Sequence, residues 1–348
     1  TEIYTLSLHD ALPIYDALLK LLAELAGHRV AVVGDLVADL FVYAHADRVS
    51  REAPVLILEH ESDKVALGGA GNAANNVKAL GGEPFIIGVV GEDKEGDLVL
   101  ATLRDLGLNT DFIIRDPQLP TITKTRVVAS GLHTTYQQML RIDRGLRHPV
   151  SPETEKKLLA AIDEAAGMCE VMIASDYGYG VFSDNVLGRV SAIGQSDWMK
   201  VLVDSRHRSL QFQGAHLITP NEPEACEACR MEIRTNEDVA FAAERMRLGA
   251  NADAVIITRG KQGMVLKTKD AQADFLGIYG TDEIADVTGA GDTVIATFAL
   301  STAANAALPL AARLATVTAG LVVLKQGTAT VTPAEVRQAL ENHPWLES

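Results

Sequence analysis

The feature of this chain that most constrains its fold is a regular alternation of short apolar runs with helical patterns. Each apolar run ends in a polar residue or a glycine, and no internal repeat or Pro/Gly/Ser-rich linker interrupts the series. The runs are RVAVVGD (29–35), PFIIGVVG (84–91), EVMIASD (170–176), KVLVDS (200–205), HLITP (216–220) and AVIITRG (254–260). Such alternation is typical of a mostly parallel sheet with helices on both faces, whose ligands bind beyond the carboxyl ends of the strands. We therefore expect a doubly wound α/β fold with its functional site at the polar strand ends.

Two segments interrupt this alternation and are rich in residues that favour strands. They span residues 36–66 and 121–142 and contain the stretches FVYAHADRV, VLILEHE and TITKTRVVA. β-Branched and aromatic side chains fit a pleated, half-buried surface. We predict that these segments form a small β lid and that residues 29–340 make up one domain that includes it.

An N-terminal extension, residues 1–28, precedes the first predicted strand. From Tyr15 onward, the stretch YDALLKLLAELA has the apolar spacing of an amphipathic helix that leads into the domain. The first 14 residues, TEIYTLSLHDALPI, have no clear periodic partner downstream. One interpretation is that they are non-native sequence, in which case catalysis should survive their removal.

Composition restricts the class of partner and the compartment. The 348 residues carry a formal net charge of −15 with a pI near 5.0, which disfavours nonspecific binding to nucleic acid or to anionic membranes. No apolar run approaches the roughly 20 residues of a membrane span, and no basic segment precedes a cleavage site. We therefore expect a cytoplasmic protein in which an anionic substrate would meet a local basic pocket. The three cysteines, Cys169, Cys226 and Cys229, are too few for a disulfide framework or a paired-CxxC zinc site.

The stretch DVTGAGDT, residues 286–293, joins a strand-like end to a proline-free apolar helix. The first amides of a helix have no internal partner, and glycine leaves them open to an anion. Asp292 would then lie beside an anion site, an arrangement that suits phosphoryl transfer: the amides hold the moving charge, and the carboxylate accepts the proton of the attacking hydroxyl. The structural alternative is an aspartate that only interacts with the helix dipole.

Two glycine- and aspartate-bearing motifs also stand at predicted strand ends. GGAGNAANN (68–76) precedes a helix and suits a sugar hydroxyl or a phosphate, although a tight turn would use the same glycines. GDLVAD (34–39) ends the first strand with two carboxylates that could bind sugar hydroxyls, although surface carboxylates are commoner. The candidate residues in these motifs are Asp35, Asp39, Gly69 and Asn72.

Two further motifs follow later strands. NEPE (221–224) begins at the carboxyl end of HLITP, where Asn221 and Glu224 could hold magnesium-bound waters or phosphate, or could simply cap a helix. TRGKQG (258–263) has the character of a glycine-bearing turn between two strands and carries little information by itself.

Taken together, four motifs resemble the PfkB family of carbohydrate kinases, which have the ribokinase-like fold. They are GGAGNAANN, GVVGEDKEG (88–96), NEPE and DVTGAGD, in the family's order, and the resemblance spans residues 29 to 340. It implies ATP-dependent phosphorylation of a sugar hydroxyl, with Asp292 as the general base. The family's exposed lids often pair into homodimers, which implies the same for this chain.

The resemblance also implies the position of each substrate. The backbone of Gly289, Ala290 and Gly291 would form the anion hole, and Glu224 would hold Mg²⁺ through water. The residues placed around the nucleotide are Asn221, Glu224, Thr258, Arg259, Gly260, Gly263 and the segment KQGT (325–328), with Lys325 and Gly327. The residues placed around the sugar are Asp35, Asp39, Gly69 and Asn72.

Within that family, the chain is most similar to the kinase half of the bifunctional heptose 7-phosphate kinase/heptose 1-phosphate adenylyltransferases. The stretches that carry this similarity are REAPV (51–55), PTITKTRVV (120–128), QQMLRID (137–143), SDYG (175–178) and TPNEPE (219–224). It implies conversion of D-glycero-β-D-manno-heptose 7-phosphate to the 1,7-bisphosphate, a precursor of ADP-heptose and the lipopolysaccharide core.

The local charge fits a phosphorylated acceptor, and two departures from the subfamily leave other acceptors open. Lys124 and Arg141 are our candidate phosphate ligands, and the cations near them in the two lid segments and the adjoining strand are Arg48, Arg51, Arg126 and Arg144. A half-exposed strand would also alternate such residues with apolar ones. Tyr179 replaces the subfamily's lysine after SDYG, and DSRHR (204–208) replaces its DPK. A kinase for fructose, ribose or another sugar phosphate is therefore the alternative.

Other functional classes fit less well. An adenylyltransferase domain would need two histidines in an HxGH motif, and no two histidines of the chain have that spacing, so we expect none. A nicotinamide-dependent oxidoreductase would need GxGxxG after the first strand, which VVGD lacks. A sugar-binding regulator on a kinase fold would have no need of an intact GAGD.

Overall fold

The computed structural model describes residues 8–131, 134–145, 148–196, 198–280 and 286–342. The strands in these residues are β1 (Arg29–Gly34), β2 (Leu36–Val49), β3 (Leu56–Gly69), β4 (Glu83–Gly91), β5 (Ile113–Asp116), β6 (Ile122–Gly131), β7 (Thr134–Arg144), β8 (Val171–Asp176), β9 (Lys200–Ser205), β10 (Leu217–Ile218), β11 (Ala254–Thr258), β12 (Met264–Thr268) and β13 (Asp274–Leu276). The helices are α1 (Leu8–Glu24), α2 (Ala70–Ala79), α3 (Lys94–Asp105), α4 (Pro152–Met168), α5 (Asp184–Gly194), α6 (Glu222–Cys229), α7 (Asn236–Gly249), α8 (Ala290–Ala303), α9 (Leu308–Val322) and α10 (Pro333–Glu341).

The main sheet has nine strands in the order β13-β12-β11-β10-β9-β8-β1-β4-β5. The pairs from β11 to β5 are all parallel, whereas β12 and β13 add an antiparallel edge. The central strands are buried on both faces, which is why they appear in the sequence as continuous apolar runs. All six predicted apolar runs contribute strands to this sheet, and the predicted parallel α/β fold is confirmed.

Helices cover both faces of the main sheet and define two apolar cores. One core packs side chains of α1, α2, α3, α8, α9 and α10 against one face, and the other packs α4, α5, α6 and α7 against the opposite face. Several helices begin at side-chain caps: Asp93 accepts from the backbone N–H of Gly96, and Ser151 from that of Thr154. None of the helices in the described part of the chain has the length and apolar character needed to cross a membrane.

A separate four-stranded sheet, in the order β3-β2-β6-β7, forms the lid. The β2–β6 pair is parallel and the two outer pairs are antiparallel. A small cluster of Val37, Ile122 and Tyr179 packs at its base. These strands fall in the segments predicted to form a lid, residues 36–66 and 121–142, although β3 continues to Gly69 and β7 to Arg144. Residues 132 and 133 of the second segment lie outside the described residues.

The N-terminal helix is longer than the sequence pattern indicates. It begins at Leu8 instead of Tyr15, so it includes half of the stretch interpreted as non-native. Leu18, Leu21 and Leu22 bury its apolar side in the core, and Ile14 also packs against that core. Residues 1–7 lie outside the described part of the chain.

Candidate active site

A cavity of about 980 Å³ lies between the carboxyl ends of the main-sheet strands and the lid. Its floor includes residues that follow β9, β10 and β11, together with the first turn of α8, and its roof includes residues of β2, β6 and β7. A further part of the wall is apolar and belongs to α8, α9 and the segment after β13. The cavity therefore joins a polar region under the lid to an apolar region of a kind that could receive a nucleobase.

The first turn of α8 presents unpartnered amides to this cavity. Gly289 precedes the helix with a φ of 83°, and a Cβ at this position would lie 2.7 Å from the side-chain nitrogen of Asn72. Within the described residues, the backbone N–H groups of Gly291 and Asp292 have no hydrogen-bond partner, whereas Ala290 donates weakly to the Val287 carbonyl at 3.3 Å. The helix start thus offers free donors of the kind that bind anions, and Ala290 has the least free donor of the three.

Asp292 lies beside these free donors with its side chain almost fully buried. Its Oδ2 accepts a 2.6 Å hydrogen bond from Asn72 Nδ2, and its Oδ1 lies 3.5 Å from the Tyr177 hydroxyl. Burial raises the pKa of Asp292 from 3.8 to about 6, even though the Asn72 and Tyr177 hydrogen bonds favour the charged form. A carboxylate with such a pKa is still ionised at neutral pH and is a stronger base than an exposed aspartate.

A chain of buried hydrogen bonds connects α8 to the glycine motif GGAGNAANN. Asn76 donates to the backbone carbonyl of Asn72, and Thr293 donates to Asn76 Oδ1 at 2.7 Å. Asn72 therefore holds Asp292 and is itself fixed by α2. It is fully buried and does not line the cavity, and its predicted contact with the sugar stays a prediction.

The lid supplies cations to a cavity that lacks the acidic excess of the whole chain. Among the described residues, six acidic and six basic side chains line it, against 46 and 31 in the full sequence. The acidic ones are Asp39, Asp143, Asp204, Glu222, Glu224 and Asp292, and the basic ones are Lys124, Arg126, Arg141, Arg206, Arg259 and Lys261. A local basic pocket was the sequence-based expectation, and the lid side of this cavity comes nearest to it.

The motif NEPE caps helix α6, which is one of the two roles that the sequence allowed, and it also lines the cavity. Asn221 Oδ1 accepts from the N–H of Glu224 at 2.8 Å, and Glu224 Oε2 accepts from the N–H of Asn221 at 2.9 Å, which makes a capping box for α6. Burial raises the pKa of Glu224. In the described part of the chain, no group of three or more His, Cys, Asp or Glu side chains forms a ready metal site.

Most of the predicted site residues do line the cavity. Those that line it are Gly289, Ala290, Gly291, Asp292, Asn221, Glu224, Thr258, Arg259, Gly260, Gly263, Asp39, Gly69, Lys124 and Arg141. Arg259 is nevertheless already occupied, because it donates to Glu222 at 2.9 Å and to Asn236 at 3.0 Å. TRGKQG forms the predicted turn between β11 and β12.

Asp35, Lys325 and Gly327, in contrast, do not line the cavity. Asp35 is fully buried and accepts hydrogen bonds from the backbone N–H groups of Tyr177, Tyr179 and Val181. The Lys325 ammonium donates to Glu335 and to the Thr330 carbonyl. The Gly327 N–H donates to Asp286. These groups shape loops around the cavity, because their hydrogen-bonding capacity is used within the protein.

Three functional candidates were missed from the sequence: Tyr177, Asp204 and Arg206. All three line the cavity: Tyr177 and Arg206 directly follow β8 and β9, and Asp204 lies near the end of β9. Burial, together with the charges of Asp292 and Glu224, raises the pKa of Asp204 well above its usual range. The rule that placed Asn221 at a strand end would have found them, because SDYG and DSRHR end equivalent apolar runs.

The parallel sheet, the uncovered helix amides and the adjacent buried carboxylate define a phosphotransferase of the ribokinase-like fold. Sequence comparison gives the family: a model described as "pfkB family carbohydrate kinase" matches residues 28–335. The chain belongs to this family and is a carbohydrate kinase.

Relatives and solved structures agree with this assignment. The chain is 38% identical over 317 residues to the bifunctional protein HldE of Desulfatibacillum aliphaticivorans, covering 91% of this chain and 64% of the relative. It is 39% identical over 306 residues to that of Geobacter metallireducens, covering 88% and 61%. The chain thus spans less than two thirds of the length of these relatives.

The fold is shared with more distant kinases of known structure. Arabidopsis thaliana ribokinase complexed with ribose and ATP superposes with a TM-score of 0.70 at 19% identity, covering 91% of this chain and all of that one. Phosphofructokinase-2 from Escherichia coli in complex with potassium gives 0.72 at 17% identity, covering 91% and 98%. At these identities the likeness shows the fold alone.

Proposed function

We propose that this carbohydrate kinase transfers the γ-phosphoryl group of ATP to D-glycero-β-D-manno-heptose 7-phosphate, giving the 1,7-bisphosphate. The observation that carries the acceptor class is Lys124, which is only 9% exposed yet lines the cavity under the lid. It forms no ion pair with any described residue, and burial lowers the pKa of its ammonium group. A buried cation without a carboxylate partner is costly, so it favours an anionic ligand.

The residues of the chain support a direct transfer to a hydroxyl group. Asp292 removes the proton from the acceptor hydroxyl, whose oxygen forms the new bond to the γ-phosphorus while the bond to the ADP oxygen breaks. The N–H groups of Gly291 and Asp292 stabilise the charge on the transferred group, because they have no partner within the described residues. The buried setting of Asp292 keeps water from competing as a hydrogen-bond donor to the base.

The nucleotide and its metal ion fit the opposite side of the cavity. Asn221 and Glu224 stand at this wall, where Glu224 would hold Mg²⁺ through water, and the metal would supply positive charge to the phosphates. Thr258, Gly260 and Gly263 bring open backbone to the same wall. The apolar surface formed by Val287, Val294, Ala319 and Val323 would receive the adenine ring.

The proposal extends to the assembly and the compartment. The lid exposes apolar side chains on its strands, including Leu56, Leu140 and Ile142, and such a surface suits a second copy of the same chain. We therefore include a homodimer formed through the lid. We also propose that the enzyme acts in the cytoplasm, where ATP and sugar phosphates are available as substrates.

The test compares acceptors that differ in their phosphate. We expect kcat/KM to be highest for D-glycero-β-D-manno-heptose 7-phosphate among that sugar, sedoheptulose 7-phosphate, fructose 6-phosphate, fructose and ribose. Lys124→Ala should lower kcat/KM for the phosphorylated acceptors by about 10- to 100-fold, the usual worth of a hydrogen bond to a charged group. Arg141→Ala should cost less, because Asp143 already neutralises that guanidinium through two hydrogen bonds of 2.8 and 3.0 Å.

Two outcomes would contradict the proposed acceptor. One is a phosphate-free sugar as the best substrate of the wild type, which would favour the alternative of a fructose or ribose kinase. The other is an unchanged kcat/KM for phosphorylated sugars in Lys124→Ala. Sugar binding without any ATP consumption would instead indicate a regulator.

A further inference from the structure

Four cations line the lid side and floor of the cavity, and they differ in whether a carboxylate neutralises them. Arg126 donates to Asp39 Oδ1 at 2.6 Å, and Arg141 is bound through two hydrogen bonds by Asp143. Lys124 and Arg206 form no ion pair within the part of the chain that the structure describes. Of these four cations, two therefore carry a charge that is not balanced by direct contact with a described carboxylate.

These two cations share one aromatic ring. The Lys124 Nζ lies 5.2 Å from the centroid of the Tyr177 ring, and the central guanidinium carbon of Arg206 lies 4.4 Å from the same centroid. The two positive charges are close enough that Arg206 is, after burial, the strongest cause of the lowered pKa of Lys124. Repulsion between them would separate the two groups, whereas the negative face of an aromatic ring attracts both.

The backbone fixes the position of this ring. Tyr177 follows β8 directly, and its N–H donates to the buried Asp35 carboxylate at 2.8 Å. The same carboxylate binds the N–H groups of Tyr179 and Val181, so the loop that carries the ring is held at three points. Arg206 follows β9 at the neighbouring position of the sheet, and its N–H donates to the Asp176 carbonyl at 3.1 Å.

Other charges act on the pair from a distance without neutralising it. Asp39 and Asp143 favour the charged form of Lys124 and so raise its pKa, and the charge of Arg206 lowers the pKa of Asp204 and Glu224. None of these carboxylates comes within ion-pairing distance of Lys124 or Arg206 among the described residues. The pair is therefore oriented by its surroundings and remains available to an anion from outside the protein.

We infer that Tyr177 is a positioning residue whose ring holds Lys124 and Arg206 together as a cradle for the phosphate group of the acceptor sugar. The inference deepens the proposed function and rests on it. Arg206 brings a planar set of donors and Lys124 a point charge, a combination that suits a phosphate dianion better than either alone. The cradle thereby selects phosphorylated over unphosphorylated acceptors. In this selection, the aromatic ring of Tyr177 positions the two cations, and the Tyr177 hydroxyl group does not contribute.

The test separates the ring from the hydroxyl. The quantity measured is the ratio of kcat/KM for D-glycero-β-D-manno-heptose 7-phosphate to that for the same heptose without phosphate. We expect Tyr177→Leu to lower this ratio about 10-fold, equivalent to about 1.4 kcal/mol, mainly through a higher KM for the phosphorylated acceptor. Tyr177→Phe keeps the ring and should keep the ratio. Any effect of the lost hydroxyl on Asp292 is common to both acceptors and cancels in the ratio.

Two further variants protect the test against misfolding and against general effects of charge. Arg206→Gln changes an exposed side chain and should lower the ratio as Tyr177→Leu does. Arg189→Gln removes a positive charge from α5, where Arg189 pairs with Asp163, and should leave the ratio unchanged because Arg189 does not line the cavity.

Each failure has its own signature. If the wild type prefers the unphosphorylated heptose, the proposed function is wrong, whatever the variants do. If the wild type prefers the phosphorylated sugar but Tyr177→Leu or Arg206→Gln retains the full ratio, the cradle is wrong and the proposed function stands. If Tyr177→Phe loses the ratio as completely as Tyr177→Leu, the hydroxyl is responsible and the inference is overturned.

Discussion

At the scale of single residues, the site depends on a carboxylate that is kept both buried and ionised. Burial of Asp292 raises its pKa to about 6, and the hydrogen bonds from Asn72 and Tyr177 keep the pKa from rising further. A much higher pKa would leave the group protonated at neutral pH, and a pKa of 3.8 would make it a weak base. The two donors thus set the strength of the base.

Asp292→Asn should nearly abolish phosphorylation while the fold remains intact. The amide keeps the shape of the side chain but cannot accept the hydroxyl proton, and loss of a general base costs about 100- to 10,000-fold in kcat. The measurement is kcat at saturating substrates, with circular dichroism and Tm as controls for folding. Near-normal turnover of a folded variant would remove Asp292 from the role of base.

The pH profile of kcat/KM should have an acidic limb near pH 6. Because the pKa of Asp292 is raised, the active ionised form is present above about pH 6 and is lost as the pH falls through that value. A sugar phosphate also titrates near pH 6, so the profile should be repeated with an unphosphorylated acceptor. Stability must be followed in parallel, because the pKa of Asp35 is also raised to about 6. A limb near pH 4 for both acceptors would contradict the assignment.

Glu224→Gln should raise the Mg²⁺ concentration needed for half-maximal activity. A neutral amide holds the water shell of a metal ion less well than a carboxylate does, although it can preserve the helix cap made with Asn221. The measurement is a Mg²⁺ titration at saturating ATP, and the KM of the sugar should change little. An unchanged titration would leave Glu224 with the capping role only.

At the scale of single elements, the contacts of the loop between β8 and α5 could not be predicted from the sequence. Asp35 was predicted to bind sugar because it ends the first strand, and this contact stays a prediction. What the sequence did not indicate is that its carboxylate accepts hydrogen bonds from the backbone of residues 177–181. A strand-end pattern gives the edge of the sheet on which a carboxylate lies, yet its hydrogen-bond partners are 142 to 146 residues away. Local spacing carries no information about such distant partners.

The N-terminus of α8 is an element that the sequence predicted well. The glycines, the proline-free apolar stretch and the position of Asp292 are all local features, and the predicted helix is present from Ala290 onward. The strand end predicted before it is wrong, because residues 286–288 form no strand. The stretch GGAGNAANN was harder to interpret, because the function of Asn72 depends on a side chain from the far end of the domain. Local geometry was thus predictable, and pairings between distant elements were not.

Asp35→Ala should destabilise the protein through this loop. Removing the carboxylate leaves buried N–H groups without an acceptor, and a single such group costs about 1–3 kcal/mol of the free energy of unfolding. The measurement is chemical denaturation, with Asp105→Ala on the exposed side of α3 as the matched control. Equal stability of the two variants would show that the loop does not depend on Asp35.

At the scale of the whole molecule, the two sheets differ in how well the sequence predicts them. The main sheet is covered by helices on both faces, and the alternation of apolar runs predicted it directly. The sequence predicted that the lid is built of β strands, but it did not predict the order of these strands. The parallel β2–β6 pair joins two segments that are separated in the chain by β4, α3 and β5. Non-local pairing of this kind leaves no mark in either strand's own sequence.

The lid should mediate self-association. Ile142 is 59% exposed and Leu140 is 47% exposed on the edge strand β7, and burial of such side chains stabilises an interface. We expect the wild type to sediment as a dimer, and Leu140→Glu/Ile142→Glu to sediment as a monomer. Phe241→Glu, which alters an exposed apolar side chain on α7, is the control and should stay dimeric. A monomeric wild type at micromolar concentration would refute the lid dimer.

The hydrogen bond between Asn72 and Asp292 also has a consequence for the order of folding. It joins residues 220 positions apart, so it forms only after the chain between them has closed a very long loop. Local elements such as α2 and the β2–β3 hairpin can form early, whereas the docking of α8 onto α2 belongs to the slow, non-local steps. During refolding, secondary structure therefore returns before the base acquires its partner, and enzymatic activity is one of the last properties that the chain recovers.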